Sequence, residues 1–145
     1  MARDPVMLDS GPLGLLARKN PKRDDAKKLA WLARNSSQIY ISEVCDFEIR
    51  RSLLLHRLAE SLEVLDQLAA GLKYDSITTE AMRLAAKLWA DARGRGASTA
   101  DPKRLDFDVI LAAQAKLVNS KIVTLNAKHL SRYVDVIEWG AIPVP

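Results

Sequence analysis

The 145-residue sequence predicts an α/β protein built on a short, mainly parallel sheet of four or five strands. Short apolar runs, which suit strands buried on both faces, alternate along the chain with segments of helical periodicity. That alternation implies right-handed crossovers between parallel strands. The length fits a single domain over residues 1–145. The contents of 48% hydrophobic and 28% charged residues exclude collagen-like, coiled-coil and wholly disordered classes.

The first half of the chain predicts two strands and the helices that follow them. Val6–Leu8 and residues 39–41 are apolar runs bounded by turn-forming residues, as expected of buried strands. Ser42 is a favourable N-cap for the helix after the second strand, with Glu43 in its first turn. The spacing of apolar residues predicts helices over residues 13–19, 22–35, 43–57 and 59–70.

The second half of the chain continues this alternation. A weak strand leads into a helix that Thr78 or Thr79 can cap and that ends near Gly94. A surface loop rich in glycine spans residues 94–103, and a further helix then begins at Asp106. The remaining strands are predicted at residues 74–77, 121–124 and 134–137, with a helical turn at residues 127–130.

Polar side chains from separate segments are expected to meet at one edge of this sheet, because ligands of parallel sheets bind beyond the carboxyl ends of the strands. Convergent carboxylate oxygens without a thiolate partner suit Mg²⁺ or Mn²⁺. Such an ion suits phosphodiester hydrolysis, since it activates water and stabilises the leaving oxygen. The residues of this predicted site are Asp9, Ser10, Glu48, Asp106, Asp108, Thr124, Asn126 and His129.

Each carboxylate taken alone also has a structural interpretation. Asp9 precedes Ser-Gly-Pro, where aspartate is a common turn former. Asp106 could serve as an N-cap and Asp108 as a first-turn acid stabilised by the helix dipole. Glu48 could face solvent or pair with a neighbouring arginine. The prediction of a site therefore depends on the set as a whole.

Other chemistries have little support in the sequence. It contains no GxGxxG or P-loop motif, and one cysteine with two distant histidines does not supply a zinc site. Cys45 lies in an apolar helix turn, which predicts a buried and inert thiol.

Charge and cysteine content bear on partners and location. Lys and Arg number 22 against 18 Asp and Glu, and the net charge of +4 permits nucleic acid as a partner without requiring it. No apolar run approaches the roughly 20 residues that span a bilayer. Together with the single cysteine and the absence of a signal-peptide core, this predicts a cytoplasmic protein without a membrane partner.

Four segments follow one another in a recognisable pattern: VMLDSGPLGLL, ISEVCDFEIRR, DFDVILAAQA and IVTLNAKHL. In this order and at these separations they resemble the PIN-domain family, of the kind found as VapC-type toxins in bacterial toxin–antitoxin pairs. The resemblance extends over nearly the whole chain. Its more specific parts are the Asp-x-x-Ile/Leu-Ala-Ala-x-Ala form of the third segment and the Thr-x-Asn of the fourth. It implies a three-layer α/β/α domain.

The resemblance also implies roles for individual residues. Asp9, Glu48 and Asp108 fall on the family's acidic positions, which makes them the expected catalytic residues and metal ligands. The supporting polar positions of the family fall on Ser10, Thr124 and Asn126.

One position departs from the family. Where a fourth acid often stands, three residues after the asparagine, this sequence has His129. Asp106 could restore the missing charge if the start of its helix turns it inward. Alternatively, His129 could bind phosphate, transfer a proton or only pack near the site.

The activity implied by the resemblance is Mg²⁺- or Mn²⁺-dependent hydrolysis of RNA by an endoribonuclease toxin. Arg50 and Arg51 could hold the RNA backbone and make binding sensitive to salt. The implied partners are a second copy of the chain, in a homodimer, and a neutralising antitoxin whose arginine enters the acidic site. The alternative is a catalytically inactive PIN-like module that binds RNA or protein. His129 favours that alternative, whereas the retained acids argue against it.

Overall fold

Within the described residues, 3–95 and 102–144, five strands form a parallel sheet in the order β3-β2-β1-β4-β5. The computed structural model leaves the side chains of residues 102–105 undescribed, and most of the loop predicted at 94–103 lies outside the described residues. Parallel pairing is confirmed throughout this sheet. The strands are β1 (Val6–Leu8), β2 (Ile39–Ser42), β3 (Lys73–Asp75), β4 (Lys121–Thr124) and β5 (Val136–Glu138).

Helices cover both faces of the sheet, which confirms the three-layer α/β/α arrangement. Two predicted caps are also confirmed: Ser42 Oγ accepts the N–H of Cys45 at 3.3 Å, and Thr78 Oγ1 accepts that of Ala81 at 3.0 Å. The described helices are α1 (Ser10–Leu16), α2 (Arg23–Asn35), α3 (Glu43–Leu55), α4 (Ala59–Gly71), α5 (Thr79–Gly94), α6 (Pro102–Leu117), α7 (Ala127–Leu130) and a 3₁₀ turn at Trp139–Ala141.

Two helices begin earlier than the sequence predicts. α1 starts at Ser10, because the Asp9 carboxylate accepts the Ser10 N–H and caps the helix. α6 starts at Pro102, whose fixed φ and missing N–H suit the first helical position. The interpretation of Asp106 as an N-cap and of Asp108 as a first-turn acid is therefore wrong, since both lie inside the helix.

The central strand forms the middle of the hydrophobic core. Val6, Met7 and Leu8 of β1 are all buried, as the continuous apolar run predicts for a strand covered on both faces. Leu13 of α1 and Leu111 of α6 pack into the same core. None of the helices in the described part of the chain is long and apolar enough to cross a membrane.

β1 and β4 are neighbours whose connections leave in opposite directions. β1 leads through α1 and α2 to β2 on one side, whereas β4 leads through α7 to β5 on the other. A reversal of this kind opens a crevice at the carboxyl ends of the two strands, where ligands bind. Because Leu8 pairs with Val123, the next residues, Asp9 and Thr124, meet at this crevice.

Candidate acidic site

Asp9 is fixed in place at the end of β1. The Ser10 N–H donates to its Oδ1 at 2.7 Å, and the buried hydroxyl of Thr124 donates to its Oδ2 at 2.7 Å. The same hydroxyl accepts the N–H of Asn126 at 3.0 Å. These contacts orient the carboxylate from both strands that flank the crevice, so its direction is set before any ligand binds.

A small cavity of about 80 Å³ opens beside Asp9. Acidic side chains reach it from three elements: Asp9 from β1, Glu48 from α3 and Asp108 from α6. Among the described side chains that line it, three are carboxylates and one is an imidazole. The residues that line this acidic cavity are Asp9, Ser10, Glu48, Phe107, Asp108, Asn126, His129 and Leu130.

Cys45 lies buried beneath these acids. Burial raises the pKa of its thiol well above the usual value, and the negative charges of Asp9 and then Glu48 raise it further. Two carboxylates from different elements therefore lie near enough to act on one buried atom. The prediction of a buried thiol is confirmed.

We expect the native protein to resist thiol reagents. At mildly alkaline pH, a chromogenic disulfide reagent should label Cys45 rapidly in concentrated guanidinium chloride but very slowly in native buffer, because only an accessible thiolate reacts. Absorbance of the released thiol measures both rates. Equal rates in the two conditions would contradict the burial of Cys45.

Asp106 does not reach the acidic cavity. It is exposed and lines a different groove, between α5 and α6, together with Trp89 and Val109. Residues two positions apart on a helix point to different sides, so Asp106 and Asp108 cannot both face one cavity. The expectation that Asp106 supplies a fourth carboxylate is thus corrected by the position of α6.

The two adjacent arginines of α3 have different surroundings. The Arg50 guanidinium forms ion pairs with Asp46 at 3.0 Å and Asp66 at 2.8 Å. Asp46 also accepts the hydroxyl of Tyr74 at 2.7 Å. Burial and this carboxylate raise the pKa of the Tyr74 hydroxyl. Arg50 therefore ties α3 to α4, and its contact with the RNA backbone stays a prediction.

Arg51 instead lies against aromatic rings. Its guanidinium carbon is 5.3 Å from the ring centroid of Phe47 and 5.0 Å from that of Phe107. Phe107 also lines the acidic cavity. No motif in the sequence singles out either phenylalanine. The usable signal was that each phenylalanine directly precedes one of the acids, Glu48 and Asp108.

The donor set of the acidic cavity fits a hard divalent cation, because carboxylate, amide and hydroxyl oxygens dominate it. In residues 3–95 and 102–144, no three His, Cys, Asp or Glu side chains form a ready-made metal cage. Mg²⁺ does not need one, since it keeps several waters and is commonly bound by one or two carboxylates. The site therefore suits an ion held partly through water.

The fold and the cavity define an α/β protein with a carboxylate site in the crevice at the carboxyl ends of β1 and β4. The model of the PIN domain family matches residues 6–135. The chain belongs to the PIN-domain family, whose members are generally nucleases that use divalent metals. No curated protein matches the sequence significantly.

Solved structures with the same fold come from several bacteria. VapBC2 of Rickettsia felis, bound to a promoter DNA fragment, is 20% identical with a TM-score of 0.77, covering 93% of this chain and 98% of that one. FitAcB of Neisseria gonorrhoeae is 21% identical with a TM-score of 0.70, covering 94% and 99%. DNA-bound VapBC of Salmonella typhimurium is 20% identical with a TM-score of 0.69, covering 96% and 99%. At these identities the likeness concerns the fold.

Proposed function

We propose that this protein is a metal-dependent endoribonuclease that hydrolyses RNA phosphodiester bonds. The observation that carries this proposal is the cavity in which Asp9, Glu48 and Asp108 meet. Membership of a family of nucleases supports it. The cavity lies at the crevice where a parallel sheet binds ligands, so a substrate phosphate can reach the acids.

Asp9, Glu48 and Asp108 would hold Mg²⁺ or Mn²⁺, directly or through water. Bound there, the ion would neutralise phosphate charge and make a water more acidic. Ser10 and Thr124 keep the Asp9 carboxylate in one orientation through the hydrogen bonds described above.

Asn126 and His129 complete the polar lining of the acidic cavity. The carboxamide can hydrogen-bond a phosphate oxygen. The imidazole can donate to phosphate or transfer a proton to a departing oxygen. With Arg51 exposed nearby, we propose that RNA enters from the α3 side of the acidic cavity.

We further propose that the nuclease is the cytoplasmic toxin of a toxin–antitoxin pair and acts as a homodimer. Solved relatives of the same fold are toxin–antitoxin complexes, including VapBC of Salmonella typhimurium. A cavity lined by acids would accept an arginine from an antitoxin arm, because a guanidinium pairs with carboxylates in a bidentate manner.

Cleavage of a broad RNA pool by the purified chain tests the proposed activity. With Mg²⁺ or Mn²⁺ we expect discrete new ends, mapped by sequencing, and with EDTA we expect none. The absence of cleavage together with no calorimetric binding of Mg²⁺ would contradict the proposal.

A second candidate function is a catalytically inactive PIN-like module that binds RNA or protein. The observation in its favour is that His129 stands where the family often has an acid, which removes one negative charge from the acidic cavity. Mg²⁺ affinity discriminates the two functions, since an inactive site should hold the ion poorly.

We expect Thr124→Val to lower the rate of RNA cleavage by about 10- to 100-fold, the usual cost of losing a partner that orients a metal ligand. Valine has the same shape but cannot donate to Asp9 Oδ2. Thr79→Val, at an exposed position of α5, is the matched control and should cleave normally. An unchanged rate for Thr124→Val would show that the hydroxyl does not position Asp9.

A further inference from the structure

Two phenylalanine rings lie together at the mouth of the acidic cavity. Phe47 precedes Glu48 in α3, and Phe107 precedes Asp108 in α6. The ring centroids are 6.1 Å apart and the rings are tilted by 53°. Phe107 lines the acidic cavity, while Phe47 is 53% exposed. An aromatic surface thus adjoins two of the acids, because each phenylalanine is the residue immediately before an acid in its helix.

The Arg51 guanidinium completes this surface by lying over both rings. A guanidinium is planar, weakly hydrated and stacks on aromatic faces and on nucleobases. It differs here from that of Arg50, which is engaged by two aspartates. Phe47, Arg51 and Phe107 are called the stacking surface below.

We propose that the stacking surface holds a nucleobase of single-stranded RNA beside the phosphodiester in the acidic cavity. This inference rests on the proposed function. Aromatic faces and arginine planes are what single-stranded nucleic acids use for binding that tolerates different sequences. In a polynucleotide a base flanks every phosphate, just as the stacking surface flanks the acidic cavity.

A protein arm could also cover an exposed phenylalanine, but the position of the rings favours a base. The surface combines flat apolar faces with a cation and lies directly against the acidic cavity. A strand with its phosphate at the acids presents a flat base to the rings and an adjacent phosphate to the guanidinium. Both features of the surface are then used by one ligand.

Affinity measurements with and without bases test the proposal. The probes are a fluorescent single-stranded oligoadenylate and an abasic oligomer of equal length and charge, both with cleavage-resistant phosphorothioate linkages, titrated with the full chain in Mg²⁺. Phe47→Leu keeps an apolar side chain but removes the ring. We expect it to weaken oligoadenylate binding roughly 5- to 140-fold and to leave abasic binding unchanged.

Two further variants make the result specific. Phe47→Trp should retain oligoadenylate affinity, because it keeps an aromatic face. Leu55→Ala, at a 76% exposed position of the same helix, should bind both probes like the wild type. If Phe47→Leu lowered the affinity for both probes equally, the proposal would be overturned, since the ring would then not contact a base.

Failure of this inference and of the proposed function can be told apart. Metal-dependent RNA cleavage with unaltered oligoadenylate affinity in Phe47→Leu would overturn the stacking surface alone and leave Phe47 for a protein partner. Base-dependent binding that requires Phe47, with neither RNA cleavage nor Mg²⁺ binding by the wild type, would overturn the nuclease and support the stacking surface. A wild type that does not prefer oligoadenylate to the abasic probe would overturn the stacking surface.

Discussion

Asp9→Asn and Asp108→Asn are each expected to reduce metal-dependent RNA cleavage by more than about 100-fold. Losing a residue that only orients a metal ligand costs about 10- to 100-fold, and losing a ligand itself should cost more. Asparagine keeps the size of the side chain and one acceptor oxygen, so the Ser10 N–H can still be satisfied in Asp9→Asn. It removes the negative charge that attracts the cation and, in Asp9→Asn, also the second acceptor oxygen, to which Thr124 donates. Initial cleavage rates and calorimetric Mg²⁺ titration measure the two effects.

Asp106→Asn is the matched control for this experiment. It removes the same charge from the same helix, but from a side chain in the groove between α5 and α6. It should therefore cleave RNA and bind Mg²⁺ like the wild type. Equal losses in Asp106→Asn and Asp108→Asn would mean that α6 contributes general charge to RNA binding, and the assignment of Asp108 to the metal would be wrong.

Leu8→Ala is expected to lower the free energy of unfolding by about 2–5 kcal/mol, the range for removing a fully buried leucine. Leu8 has no exposed surface and lies in the central strand, between Ile41 of β2 and Val123 of β4. The strands and helices around it cannot all move inward, so a cavity remains. Such a loss is a large part of the roughly 5–15 kcal/mol that stabilises a typical domain.

Urea denaturation followed by circular dichroism measures this loss. Leu55→Ala is the chemical match, since it deletes the same atoms from a mostly exposed position. It should change stability by no more than about 0.5 kcal/mol, as is usual for surface substitutions. Similar losses in both variants would show that Leu8 is not in a tightly packed core.

The strands and caps could be predicted because their signals are local. β1 and β4 are short apolar runs with turn-forming residues after them, and both lie where the sequence predicts. Ser42 and Thr78 cap helices within three residues of themselves. Where a local signal was ambiguous, as in the segment before Pro102, the predicted start of α6 was wrong.

The wrong start of α6 also affected the prediction of which acids face the site. With the start of α6 displaced, Asp106 and Asp108 both seemed able to turn toward the site, although a helix separates such neighbours onto different sides. The same limit applied to Arg50 and Arg51. Their sequence positions are equivalent, but only Arg50 has aspartates of α3 and α4 within reach.

The sequence by itself determined the alternation of strands and helices, and therefore that the residues after β1 and β4 lie at one edge of a parallel sheet. These features depend on neighbours a few positions away. Only the tertiary structure decided which carboxylates share the acidic cavity and that Phe47 meets Phe107. Those contacts depend on how α3 and α6 are rotated against each other, and that rotation is set by side-chain packing between helices far apart in the chain.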